Sequence, residues 1–338
     1  MVSAGDDTAA SDPGAPPSRS RTAAELSAAS RTRELWGAAI GLVVASFVYR
    51  LPSLANAEGT NADAAVVGLQ AMHILRGEHA AFLWGSGYQT AADSYVAALY
   101  FAALGPSGLA LRLSTLIEHV ALTLAVFGVL SRRLRPAVAA LLAAVLVLTP
   151  DAMHTYILYP PRQLSLTLSF VGLWLADSAA FAVNRSSALR RLAGGAALAT
   201  LACAADPYTL LFLPLWGLWL AFLSVDEWRC GSGAREAERL WRTRGRRLAV
   251  AAGGALVGAI PYALLLLQPR HTEATLTING ADVARRAHLL VDACLPALLS
   301  TRVYSYGPDG TWGVYPFPAA FTDRKSTRLN SSHRLTSR

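Results

Sequence analysis

Seven blocks of apolar residues dominate the chain, and their length limits what it can fold into more than any other feature. They run at about 35–49, 109–130, 136–153, 163–183, 192–205, 208–224 and 248–267. A helix needs roughly 20 apolar residues to cross the hydrocarbon core of a bilayer. Several blocks reach that length. Only 15% of the 338 residues are charged, against about 25% in ordinary soluble domains. The reading is an all-α, polytopic integral membrane protein with about seven transmembrane helices. The block at 192–205 is short for an upright span, so the sequence pairs it with 208–224 as a tight hairpin turning at Asp206-Pro207. Small residues recur in GGAALA (194–199) and AAGGALVGA (251–259), a composition that lets helix backbones approach closely.

The net charge of +8 needs dissection before it implies a partner. Lys325 is the only lysine, and residues 323–338 (DRKSTRLNSSHRLTSR) hold five basic groups against one acid. That stretch differs in composition from the Ala/Leu/Arg background. It reads as a non-native tail of the translated-adapter kind, on a chain truncated at its C-terminal end. The other arginines are scattered over loops, so no basic stripe points to nucleic acid. Residues 1–33 read as a flexible polar tail, too long and polar for a signal peptide. Residues 34–267 read as the transmembrane domain, and 268–322 as the start of an outward region. Cys203, Cys230 and Cys294 lie far apart and suggest no disulfide framework or metal site.

Arginine counting sets the orientation. The N-terminal tail, 132–135, 185–191 and 225–247 together hold seventeen arginines, whereas the intervening loops up to residue 267 hold four, namely Arg50, Arg76, Arg112 and Arg162. The N-terminus is therefore expected in the cytoplasm, with 51–108, 154–162, 206–207 and 268–322 outside.

The outward stretch 51–108 is neither polar enough for a free loop nor apolar enough to span. DAAVVGLQAMHILRG (63–77) and DSYVAALYFAAL (93–104) predict two interfacial helices, the second stopped by Gly105-Pro106. Between them FLWGSGYQT supplies glycines at 85 and 87 beside aromatic side chains.

These residues carry a resemblance. N-A-D-A-A-V-V-G-L-x-A-x-H-I-L-x-G (61–77), W-G-x-G-Y-x-x-x-x-D-x-Y-x-A-A (84–98) and A-L-R-L (110–113), opening a helix that ends S-R-R-L, are similar to the first outward loop of the glycosyltransferase C superfamily. The likeness is closest to the bacterial protein mannosyltransferases and aminoarabinose transferases, of the family 39 and 83 type. It implies a glycosyltransferase that moves a sugar from a polyprenyl-phosphate donor to a glycan, lipid or protein acceptor, at the outer side of the cytoplasmic membrane and with inversion. Asp63 matches the family's catalytic acid and is expected to act as the base. Asp93 matches a position usually held by Glu and is expected to orient the acceptor or the surroundings of Asp63. The family commonly follows the first acid with Glu, where this chain has Ala64. That departure leaves a divalent metal without support, and no other cofactor is implied.

Elementary chemistry supplies further candidates. Arg162 and Arg76 could bind the carrier phosphate, as could Arg285 and Arg286. Trp84 and Tyr88 could stack on sugar or isoprenoid, and Asp151 and His154 lie in the second outward loop. For each there is a plainer reading: helix capping or first-turn acid for Asp63 and Asp93, interfacial placement for the aromatics, and snorkelling to membrane lipids for the arginines. Glu118 and His119 fall within a spanning block, where ionisable groups usually face the protein interior. Two other functions compete with the transferase: a transporter or flippase of a lipid-linked intermediate, and a non-catalytic membrane protein of the same fold.

Overall fold

The computed structural model describes residues 19–57, 59–86, 88–149, 157–182, 184–214, 216–218, 234–266, 284, 288, 289, 291, 292, 302–306 and 312–316. Its helices are α1 (Arg19–Ala55), α2 (Ala62–Leu75), α3 (Ala92–Leu104), α4 (Gly108–Leu130), α5 (Pro136–Val147), α6 (Gln163–Ser178), α7 (Arg185–Ala205) and α8 (Ala234–Leu266). Short 3₁₀ turns follow α6 at Ala179–Phe181 and α7 at Pro207–Phe212. Among the described residues, four helical stretches are long and apolar enough to cross a membrane: Ala29–Ala55, Gly108–Leu130, Gln163–Phe181 and Arg185–Ala205. The chain is an all-α, multi-pass membrane protein.

Two expectations about the helices change. The block read as too short at 192–205 belongs to a 21-residue helix. Asn184 caps its start by accepting from the Ser187 amide at 2.8 Å, and the first turns carry Arg185, Arg190 and Arg191, whose charge hides the helix from an apolar-run reading. Likewise, α1 begins at Arg19, inside the stretch read as a flexible tail, while its apolar part begins near residue 29. Residues 323–338, most of 268–301, Cys230 and Cys294 lie outside the described residues.

Packing follows composition. A Cβ placed on Gly172 of α6 would meet the Gly195 carbonyl oxygen of α7 at 2.8 Å, and one on Gly195 would meet the Gly172 carbonyl oxygen at 2.7 Å. Added to Gly254 or Gly258 of α8, it would run into the Ala193 or Ala197 carbonyl of α7. Three helices thus approach backbone to backbone, and on α7 and α8 the glycines at the contact belong to the runs that the sequence singled out. Further along, Arg302–Tyr306 and Trp312–Pro316 form an antiparallel β-hairpin, β1 and β2, with Tyr304 opposite Val314.

The loops sort into two sets, and they match the arginine count. At one end Arg132 and Arg133 both grip the fully buried Asp177 at 2.6 Å, Arg31 donates to the Ser131 carbonyl, and Arg191 donates to the Ser178 carbonyl. At the other end, segments 53–59, 82–90, 159–162 and 205–208 meet one another. The grouping of loops that charge implied is therefore the grouping the fold makes.

A polar site where three outward-assigned segments meet

The first surface helix starts as the sequence predicts, but with a different cap. Asn61 is the N-cap of α2, its Oδ1 accepting from the Ala64 amide at 2.7 Å. Asp63 sits in the first turn, exposed, with no hydrogen bond or ion pair among the described residues. The capping role weighed for Asp63 thus belongs to Asn61.

One face of α2 packs against α3 and α4 through Val67, Ala71, Ile74, Ala97, Phe101 and Leu111, leaving Leu69 and Leu75 exposed. The α2–α3 turn is fixed from below: Gln70 of α2 donates to the Phe82 carbonyl at 2.8 Å and accepts from the Ser94 hydroxyl of α3 at 2.8 Å. Gly85 takes a φ of 75° within it, a conformation that suits glycine. Trp84 and Tyr88 remain largely exposed on this turn. Trp84 meets His73 edge-on, and His73 pairs with Glu78 at 2.7 Å. Arg76, the C-cap of α2, is exposed nearby.

The chain leading into Asp63 is held by Arg112, a residue the sequence offered only as part of a motif. Its buried guanidinium donates to the carbonyls of Ser53, Asn56 and Gly59 and to the Tyr159 hydroxyl, and it lies over the Tyr159 ring. One arginine from the first turns of a spanning helix so ties segment 53–59 to the second outward loop. The A-L-R-L motif carried that signal.

Asp93 is 6% exposed, whereas a free cap or first-turn acid would be solvated. The N-cap of α3 is Ala91, without a side-chain hydrogen bond. Burial pushes the Asp93 carboxyl up to about 6, opposed by the backbone amides of Leu164 and Arg162 and reinforced by the charge of Asp206. Those amides open α6, whose own N-cap, Arg162, supplies no side-chain cap. Asp93 thus stands over the start of a spanning helix, where amide dipoles favour a negative group.

Asp206, at the end of α7, is the hub of the cluster. It accepts from Gln89 at 2.5 Å and from the Tyr208 amide at 3.1 Å, and pairs with Arg162 at 3.5 Å. The Thr90 amide donates to the Ala205 carbonyl at 3.1 Å. Arg162 has a φ of 103°, a region that costs a non-glycine residue on the order of 1–3 kcal/mol, and its side chain is 59% exposed. Deeper in the bundle lie Glu118 and His119, both buried as the sequence expected of intramembrane ionisable groups. His119 Nε2 meets the Leu146 carbonyl at 2.8 Å.

Of the sequence candidates, then, the fold brings together Asp93 and Arg162, and adds Gln89 and Asp206. Asp63, Arg76, Trp84 and Tyr88 lie on the adjoining α2 and its turn. His154, Asp151, Arg285 and Arg286 fall outside the described residues. No family model, curated protein or solved structure matches the chain.

Proposed function

We propose that the chain is a membrane glycosyltransferase that moves a sugar from a polyprenyl-phosphate carrier to an acceptor on the outer side of the cytoplasmic membrane, with inversion. The observation that carries this reading is the state of Asp63: an exposed carboxylate in the first turn of α2, not used for capping or ion pairing among the described residues. Asn61 already caps the helix, so the Asp63 carboxylate stays open to a substrate, as a general base must. The likeness of the stretch from Arg50 to about Leu134 to the glycosyltransferase C superfamily supplies the reaction class.

In this mechanism the Asp63 carboxylate takes the proton of the acceptor hydroxyl as that oxygen bonds to the anomeric carbon. The bond from that carbon to the lipid-phosphate oxygen breaks at the same time. Arg162, exposed and held in place by Asp206, is suited to the departing phosphate. Trp84 and Tyr88 offer ring faces to sugar or isoprenoid. Asp93 docks the second surface helix on α6 and so positions the loop, without meeting substrate itself.

The test is transfer from polyprenyl-phosphate sugars by the purified full chain in detergent. Asp63→Asn should fold normally and lose on the order of 10²–10⁴-fold in rate, the usual scale for a general base. Asn61→Ala should cost stability by about 1 kcal/mol, a typical N-cap loss, with turnover retained. Near-normal turnover by the Asp63→Asn protein would remove Asp63 from the chemistry.

A further inference from the structure

Two buried carboxyl oxygens have no hydrogen-bond partner among the described residues: Asp93 Oδ1 and Glu118 Oε2. Both side chains are more than nine-tenths buried, at 6% and 8% exposure. They come from different elements, α3 and the spanning helix α4, which pack together through Ala97, Phe101, Ala110 and Leu111, and the charge of Asp93 acts on Glu118. Isolated ionised carboxylates are too costly to desolvate side by side, and such pairs respond by sharing a proton.

We propose that Asp93 and Glu118 form a proton-binding pair that holds one proton between them at neutral pH and exchanges it by way of the buried Gln89 and Asp206 with the end of the bundle where Arg162 is exposed. Among the described residues, the nearby cations are engaged elsewhere. Around Asp93, Asp206 adds negative charge and is itself occupied by Gln89, Arg162 and the Tyr208 amide. Tyr208 and Tyr100 face the pair as neutral phenols. His119 follows Glu118 on α4 and turns its Nε2 to the Leu146 carbonyl, and Arg50 of α1 lies on the His119 side, donating to the Ser46 and Leu146 carbonyls. Thr167 of α6 donates to the Glu118 backbone and not to its carboxyl. Loss of the shared proton leaves two like charges across the α3–α4 contact, so alkaline conditions should loosen the docking of the surface helices. The pair stands independently of the glycosyl-transfer reading.

Infrared difference spectroscopy of the full chain in detergent, titrated from acid to alkaline pH, tests the pair directly. The protonated-carboxyl band should persist at neutral pH in the wild type and vanish in the Asp93→Asn/Glu118→Gln double variant. Either single variant should lower the midpoint of the remaining carboxyl by about one unit or more, the threshold of strong coupling. A wild type without the band at neutral pH, or unchanged midpoints in the single variants, would overturn the proposal. So would loss of the band on adding sodium or potassium at fixed pH, which would assign the oxygens to a metal cation. If a single variant fails to fold, the wild-type band and its response to sodium still decide the matter.

Discussion

At the residue scale, the division of labour among neighbouring polar side chains is what sequence could not assign. Asn61 and Asp63 both suit a helix start, and only the hydrogen bond to the Ala64 amide separates them. Arg112 looks like one more arginine at a helix end, yet it is the clamp on segment 53–59. Replacing it should therefore do more than remove a charge. Arg112→Lys cannot reproduce a planar fork spread over three carbonyls and a hydroxyl, so it should lower the melting temperature and raise protease cutting near residues 53–59. Limited proteolysis with mass spectrometry would check this, and a cutting pattern identical to wild type would contradict the clamp. Asp93 gives a pH prediction of definite sign. Its carboxyl lies above the ordinary aspartate value when folded, so the folded state binds its proton more tightly than the unfolded chain does. The resulting stability is complete below about pH 4 and is lost as pH rises through about 6. Asp93→Asn should flatten that part of a melting-temperature profile, whereas an unchanged slope would show that other groups cause it.

Among the elements, local signals and distant contacts separate cleanly. The bounds of α2 and α3 were legible: the predicted starts at 63 and 93 lie within one residue of Ala62 and Ala92, and Gly105 ends α3 with a φ of 79°. Small-residue runs announced the close packing of α7 and α8, because a missing side chain is a property of sequence; Gly172 of α6 gave no such run. The start of α7 was obscured by its arginines. The strands β1 and β2 went unread, although Pro308-Asp309-Gly310 between VYSY and WGVYP is a turn signal. The cluster of Asp93, Glu118 and Asp206 had no local signature, since it joins residues 25 to 113 positions apart. Packing makes its own prediction: Gly258→Val should separate α8 from α7, because its Cβ would meet the Ala197 carbonyl and Thr200. Overpacking of this kind costs about 1–3 kcal/mol. Thermal unfolding in detergent would reveal it, and a wild-type melting temperature would contradict the contact.

For the whole molecule, the decisive relation is between charge and place. Loops grouped by arginine content are grouped again by contact, with Arg31, Arg132, Arg133 and Arg191 engaged at one end and Gln89, Arg162 and Asp206 at the other. The chemistry proposed for Asp63 requires that second end to face outward, where the sugar of a lipid-phosphate carrier would be presented. Cysteine accessibility in intact cells measures this directly. In a background with Cys203, Cys230 and Cys294 replaced by serine, Ala80→Cys should react with an impermeant maleimide added outside, and Arg235→Cys should react only after the membrane is opened. Labelling at 235 but not at 80 in intact cells would put the site on the cytoplasmic side and contradict the proposed reaction.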